Sequence, residues 1–147
     1  MAFFYFDSTA LVKRYSRERG TRLVNSLFTK RDRKIILGLL TLTEFYSAIA
    51  LKARQGELTR DDWYSVVLKF EAESERGLYQ YVAPTTETFV ATKELIMEYP
   101  SLRASQALHL ALASELRPLR VFMVSADQQI VELCRPLGLK SINPEDD

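Results

Sequence analysis

The sequence is poor in the residues that mark many functional classes. It has one cysteine, Cys134, and one histidine, His109. A lone thiol excludes an internal disulfide and fits a reducing cytoplasm, the compartment expected for this chain. The apolar surroundings of Cys134 predict a packed helix position and not a nucleophile. No apolar run reaches the length needed to cross a bilayer, so no membrane partner is expected, and Met1 leads straight into strand formers rather than a signal peptide. Nor is there an excess of charge of one sign: 20 Lys and Arg face 19 Asp and Glu, a net charge of +1. Whole-molecule charge therefore does not mark a nucleic-acid binder. Repeats, low-complexity tracts and linkers are missing, which leaves one domain spanning 1–147. A Walker loop and an Asp-x-Asp nucleophile motif are missing too, which argues against an unrelated α/β enzyme such as a phosphatase.

What is present is a regular alternation. Phe3 to Phe6 is an aromatic run too short for a helix, and it predicts a buried strand. Asp7 ends it, and Ala10, Leu11, Val12 and Tyr15 follow at helical spacing. Thr21–Thr29 predicts a second short helix, Lys30–Lys34 a charged loop, and Ile35–Leu37 a second strand. Helices are expected over Thr41–Gln55 and Thr59–Arg76, the latter with Trp63, Val66, Val67 and Phe70 on one face. A strand over Leu78–Val82, a helix from Pro84 to Tyr99 and another from Ser101 to Leu116 come next, with Pro100 and Pro118 as stops. Val121–Val124 predicts a central strand beside Phe3–Phe6, followed by a helix to about Leu137 and a short strand near Lys140–Ile142. Strands alternating with helices predict a three-layer α/β/α sandwich with a mostly parallel sheet.

Three acids fall at one edge of that sheet. Asp7 and Asp127 each follow a strand and open a helix, and Glu44 lies one turn into the helix after the second strand. Ligands bind at the carboxyl ends of strands in open α/β sheets. Oxygen donors suit a hard cation, so Asp7, Glu44 and Asp127 are candidate ligands for Mg²⁺ or Mn²⁺. Each acid has a plainer reading. Asp7 suits a helix N-cap, while Thr41-Leu-Thr-Glu44 and Ser125-Ala-Asp-Gln128 match capping boxes. Convergence of the three on one edge favours a site.

The segments Phe6-Asp-Ser-Thr-Ala-Leu-Val-Lys-Arg-Tyr15, Leu42-Thr-Glu-Phe45, Arg103-Ala-Ser-Gln-Ala-Leu-His-Leu-Ala111 and Val124-Ser-Ala-Asp127 occur in an order and spacing that resemble the PIN-domain family. Within it the chain is most similar to VapC-type toxins of prokaryotic toxin–antitoxin pairs, from Phe3 to about Ile142. The resemblance implies a Mg²⁺- or Mn²⁺-dependent ribonuclease, often dimeric and often held inactive by a small antitoxin. It matches Asp7, Glu44 and Asp127 to metal-binding acids and Gln106 to a further catalytic position. It also implies supporting hydroxyls at Ser8 and Ser125. Gln106 stands where family members usually carry aspartate. An amide there offers an oxygen without charge, which weakens cation binding.

His109, among Leu108, Leu110 and Ala111, reads as a packed, hydrogen-bonded histidine. Lys13, Arg14 and Arg103 are candidates for RNA phosphate contacts, and the helix carrying Trp63 is a candidate interface for a homodimer or an antitoxin. Two readings result: a metal-dependent RNA endonuclease, and a catalytically impaired PIN-like module that binds RNA or protein. Gln106 is the residue that favours the second.

Overall fold

A computed structural model describes residues 1–146; Asp147, the last residue of the expected domain, lies outside them. The chain runs β1 (Ala2–Phe6), α1 (Ser8–Tyr15), α2 (Thr21–Leu27), β2 (Arg33–Gly38), α3 (Leu39–Arg54), α4 (Arg60–Glu75), β3 (Tyr79–Val82) and α5 (Thr86–Glu98). It continues through α6 (Ala104–Glu115), a 3₁₀ turn at Arg117–Leu119, β4 (Phe122–Val124), α7 (Gln128–Cys134) and β5 (Lys140–Ile142). The five strands form one parallel sheet in the order β3-β2-β1-β4-β5. The aromatic run near the N-terminus is thus an interior strand flanked by β2 and β4, as its composition requires.

Because successive strand side chains point to opposite faces, the run Phe4-Tyr5-Phe6 feeds two cores. Phe4 and Phe6 pack with Phe45, Ile49 and Phe70 of α3 and α4. Tyr5, Ile36 and Met123 pack on the other face with Leu110, Leu112 and Ile130 of α6 and α7. Phe6 and Leu110 are fully buried, and each such side chain contributes roughly 2 kcal/mol. Among the described residues, no helix is long and apolar enough to cross a membrane.

Several boundaries differ from expectation for physical reasons. Arg33 and Lys34, expected in a loop, are the first residues of β2, paired with Ala2 and Phe3; the Arg33 stem lies along the sheet and its guanidinium over the Phe4 ring. The third helix begins at Leu39, not Thr41, so Thr41 is inside it and fully buried. The Thr41–Glu44 capping box is therefore not formed. Cys134 is buried, and burial pushes its thiol up to about 12, in keeping with a packed position. On α4, Phe70 is buried and Trp63 and Val66 pack against the chain's own core, so the helix exposes Tyr64 and Leu68 instead.

Candidate active site

In a sheet ordered 3-2-1-4-5, the chain winds outward in one direction from β1 and in the other from β4. The switch point lies between these two strands, where open α/β sheets form a crevice for ligands. Phe6 and Val124 are paired in register at that point, and Asp7 donates its backbone N–H to the Val124 carbonyl at 3.3 Å. The residues that follow, Asp7 on one side and Ser125 to Asp127 on the other, are therefore brought together by the sheet itself.

Asp7 caps α1 and carries a second role. Its Oδ1 accepts the Ala10 N–H at 3.1 Å and the Thr9 hydroxyl at 2.6 Å, while Oδ2 accepts the Ser125 hydroxyl at 2.5 Å. The Ser125 Oγ in turn accepts the Asp127 N–H at 3.0 Å. Asp7 and Asp127 are thus joined through one buried hydroxyl. Asp7 is only 2% exposed, and among the described residues no Lys or Arg forms an ion pair with it. Burial raises its pKa, and the fields of His109, Ser125, Thr9 and Ala10 offset that only in part. The cause is desolvation.

Asp127 caps α7, accepting the Gln129 N–H at 3.0 Å. The capping box expected at Ser125 is replaced by this arrangement. Gln106 is 3% exposed and its amide orientation is fixed by chemistry. Oε1 accepts the Arg103 N–H at 2.8 Å, while Nε2 donates to Asp127 Oδ2 at 2.8 Å and to Gln129 Oε1 at 3.1 Å. Reversing the amide would set its N–H₂ against a donor and its oxygen against two acceptors. Gln106 therefore shows the acid an N–H and spends its oxygen on the start of α6.

Glu44 stands apart from this pair. Its Oε1 meets His109 Nε2 at 2.6 Å, and His109 Nδ1 meets the Tyr5 hydroxyl at 2.8 Å. His109 is a packed, hydrogen-bonded histidine, 2% exposed, that fixes Glu44. Gly38 belongs to the same packing, since a Cβ there would lie 2.5 Å from the Tyr5 oxygen.

The donors Asp7 and Asp127 are carboxylates of the kind Mg²⁺ prefers, and Mg²⁺ that keeps several waters needs only one or two of them. A buried carboxylate without a cationic partner is an electrostatic deficit that such an ion relieves. The three-acid set is a correction: among the described residues, no three His, Cys, Asp or Glu side chains group closely enough to hold an ion. Glu44 is held by His109 instead.

Two of the three basic candidates are also corrected. Lys13 is 4% exposed and paired to Glu18 at 2.9 Å and Glu145 at 3.6 Å. Arg14 pairs with Glu73 and lies over the Phe28 ring at 4.0 Å. Both are consumed by the fold. Arg103 is 74% exposed with its guanidinium 3.8 Å from Asp127, at the rim of the site. Ser8 is half-buried at the start of α1, and it is its neighbour Thr9 that reaches Asp7. Thr9 also accepts the Ala126 N–H at 2.9 Å, tying β1 to β4 across the crevice. The signal for Thr9 was its position two residues after the cap, where a hydroxyl can reach back to the carboxylate.

No family model matches this chain, and no curated protein matches it. Among solved structures it is similar to a chain of one described as a toxin–antitoxin complex from Klebsiella pneumoniae, with a TM-score of 0.63 and 16% identity over 96% of this chain and 97% of that one. At that identity the likeness is one of fold, and it spans both chains almost end to end.

Proposed function

We propose that this chain is the toxin component of a PIN/VapC-type pair, an endoribonuclease that uses Mg²⁺ or Mn²⁺ and is restrained by a small antitoxin. The observation that carries the reading is Asp7: a buried carboxylate without an ion-pair partner among the described residues, at the switch point, linked through Ser125 to Asp127. The fold shared with a chain of a toxin–antitoxin complex supports it.

In this reading Asp7 and Asp127 hold the cation. When bound there, such a cation would supply charge neutralisation at the scissile phosphate and a more acidic water. Ser125 and Thr9 orient Asp7 by donating to its two oxygens. Gln106 orients Asp127, and His109 holds Glu44 apart from the pair. Arg103 offers a cation at the rim for a flanking phosphate. Self-association and antitoxin capture are assigned to the exposed faces of α3 and α4, where Leu39, Tyr46, Tyr64 and Leu68 reach solvent.

A second reading rests on Gln106, whose oxygen is turned to Arg103 and not to the site. It makes the chain a module that binds RNA without cutting it. Incubating structured RNA with the natural protein and with Asp7→Asn, in Mg²⁺ and in Mn²⁺, separates the two. Metal-dependent cleavage that disappears in Asp7→Asn supports the nuclease. RNA retained intact by both proteins supports the module.

A further inference from the structure

A hollow lies away from the acids, where α1 passes into α2. It encloses about 690 Å³ and is lined by Arg14, Arg17, Glu18, Arg22 and Asn25 among others. Its charge is one-sided. Both oxygens of Glu18 are already taken, Oε1 by Lys13 at 2.9 Å and Oε2 by Lys52 at 2.7 Å. Arg14 is held in place by Glu73. Arg17 and Arg22 are exposed and have no ion-pair partner among the described residues.

The hollow is connected to the acidic edge by the segment after β5. Gln128, next to Asp127, accepts from Asn143 Nδ2 at 3.1 Å. Pro144 then packs on Gly20, where a Cβ would come within 2.9 Å of the Pro144 carbonyl oxygen, and Gly20 has φ +90°. Glu145 reaches Lys13. Along the other route, α1 runs from Asp7 to the hollow in eight residues, about 12 Å of helix rise. A few nucleotides span that distance.

We infer that the hollow carrying Arg17 and Arg22 is a phosphate-backbone subsite that holds single-stranded RNA flanking the position addressed by Asp7 and Asp127. The inference rests on the nuclease reading for the direction of the strand, but RNA binding at the hollow stands without cleavage. Arginine forks suit phosphodiester oxygens, and Asn25 adds a donor beside them. The openness of the hollow to solvent suits a passing strand.

The test measures binding apart from cutting. A short fluorescent single-stranded RNA is titrated with full-length protein in EDTA, and anisotropy is followed over a range of salt. Each phosphate contact to a single strand contributes a slope of about −0.7 in log K against log salt. The Arg17→Ala/Arg22→Ala protein should bind on the order of tenfold more weakly, with a slope shallower by about 1.4. Arg17→Lys/Arg22→Lys should keep most of the slope, because the charge remains. Unchanged affinity and slope in the alanine protein would overturn the inference, as would failure of the natural protein to bind RNA. Equal binding of polyglutamate would also overturn it, assigning the hollow to an acidic protein partner. A parallel Mg²⁺ cleavage assay keeps the two claims distinct. Weakened binding without cleavage by the natural protein sinks the nuclease and leaves the subsite. Cleavage and binding both indifferent to the arginines sink the subsite and leave the nuclease.

Discussion

At the scale of single residues, Asp7 is both a helix cap and a buried charge, and the two roles pull stability in different directions. The cap hydrogen bonds favour the fold; the desolvated carboxylate opposes it. Its pKa is raised in the folded chain, so the folded state holds the proton more tightly than the unfolded one. The contribution of Asp7 to stability is then highest below the ordinary value of 3.8 and falls as pH rises from there through the folded value. Asp7→Asn keeps the cap oxygen and removes the charge. In metal-free buffer it should raise stability at about pH 7, by roughly 1 kcal/mol or a few °C. The gain should vanish at about pH 3, where the natural side chain is neutral too. Thermal melts at both pH values check this, and an equal loss at both would refute the account of Asp7 as a strained charge. Sequence made Asp7, Asp127 and Ser125 visible because each follows a strand. It could not show the handing of Glu44 to His109, which depends on α3 and α6 meeting across 65 residues of sequence.

Among the helices, periodicity with cap and stop signals located α1 to α7 but not the 3₁₀ turn at Arg117–Leu119, and the misplaced boundaries are those that tertiary packing decides. The third helix begins early because Gly38, closely backed by Tyr5 and Leu112, lets the chain turn directly from strand to helix without a side-chain cap. Lys13 and Arg14 looked like ligands for phosphate because adjacent basic residues on a short helix carry no sign of burial. Their partners, Glu18, Glu73 and Glu145, come from other segments. The Arg14–Glu73 pair ties α1 to α4, next to the bonded hydroxyls of Tyr15 and Tyr79. Both partners are largely buried, at 17% and 8% exposure, and removing one leaves the other charge uncompensated. Glu73→Ala should therefore destabilise by about 2–4 kcal/mol, more than a surface ion pair would. Replacing both, as in Arg14→Met/Glu73→Leu, should recover much of that loss in denaturant unfolding. A Glu73→Ala protein as stable as the natural one would show that the pair contributes nothing.

Over the whole molecule, the parallel order 3-2-1-4-5 decides what the acids can do. It sets β1 and β4 side by side at the switch point, so two carboxylates come together there while the third, following β2, is engaged elsewhere. A cation that binds this site only in the folded chain must stabilise the entire domain. At ten times its dissociation constant the gain is about 1.4 kcal/mol, which is roughly 4 °C for a domain of this size. Mg²⁺ or Mn²⁺ should raise the melting temperature of the natural protein by that order, and the rise should shrink as pH falls, because protons compete for Asp7. Asp7→Asn should abolish it. Gln106→Asp should act oppositely in the two states. Without metal it loses the donor to Asp127 and sets two carboxylates against each other, costing about 1–3 kcal/mol. With metal the added charge should enlarge the rise beyond that of the natural protein. Calorimetric melts of the three proteins, with and without each cation, decide the matter. A shift of equal size in Asp7→Asn would mean that the cation acts on the surface at large and that the switch point holds no ion.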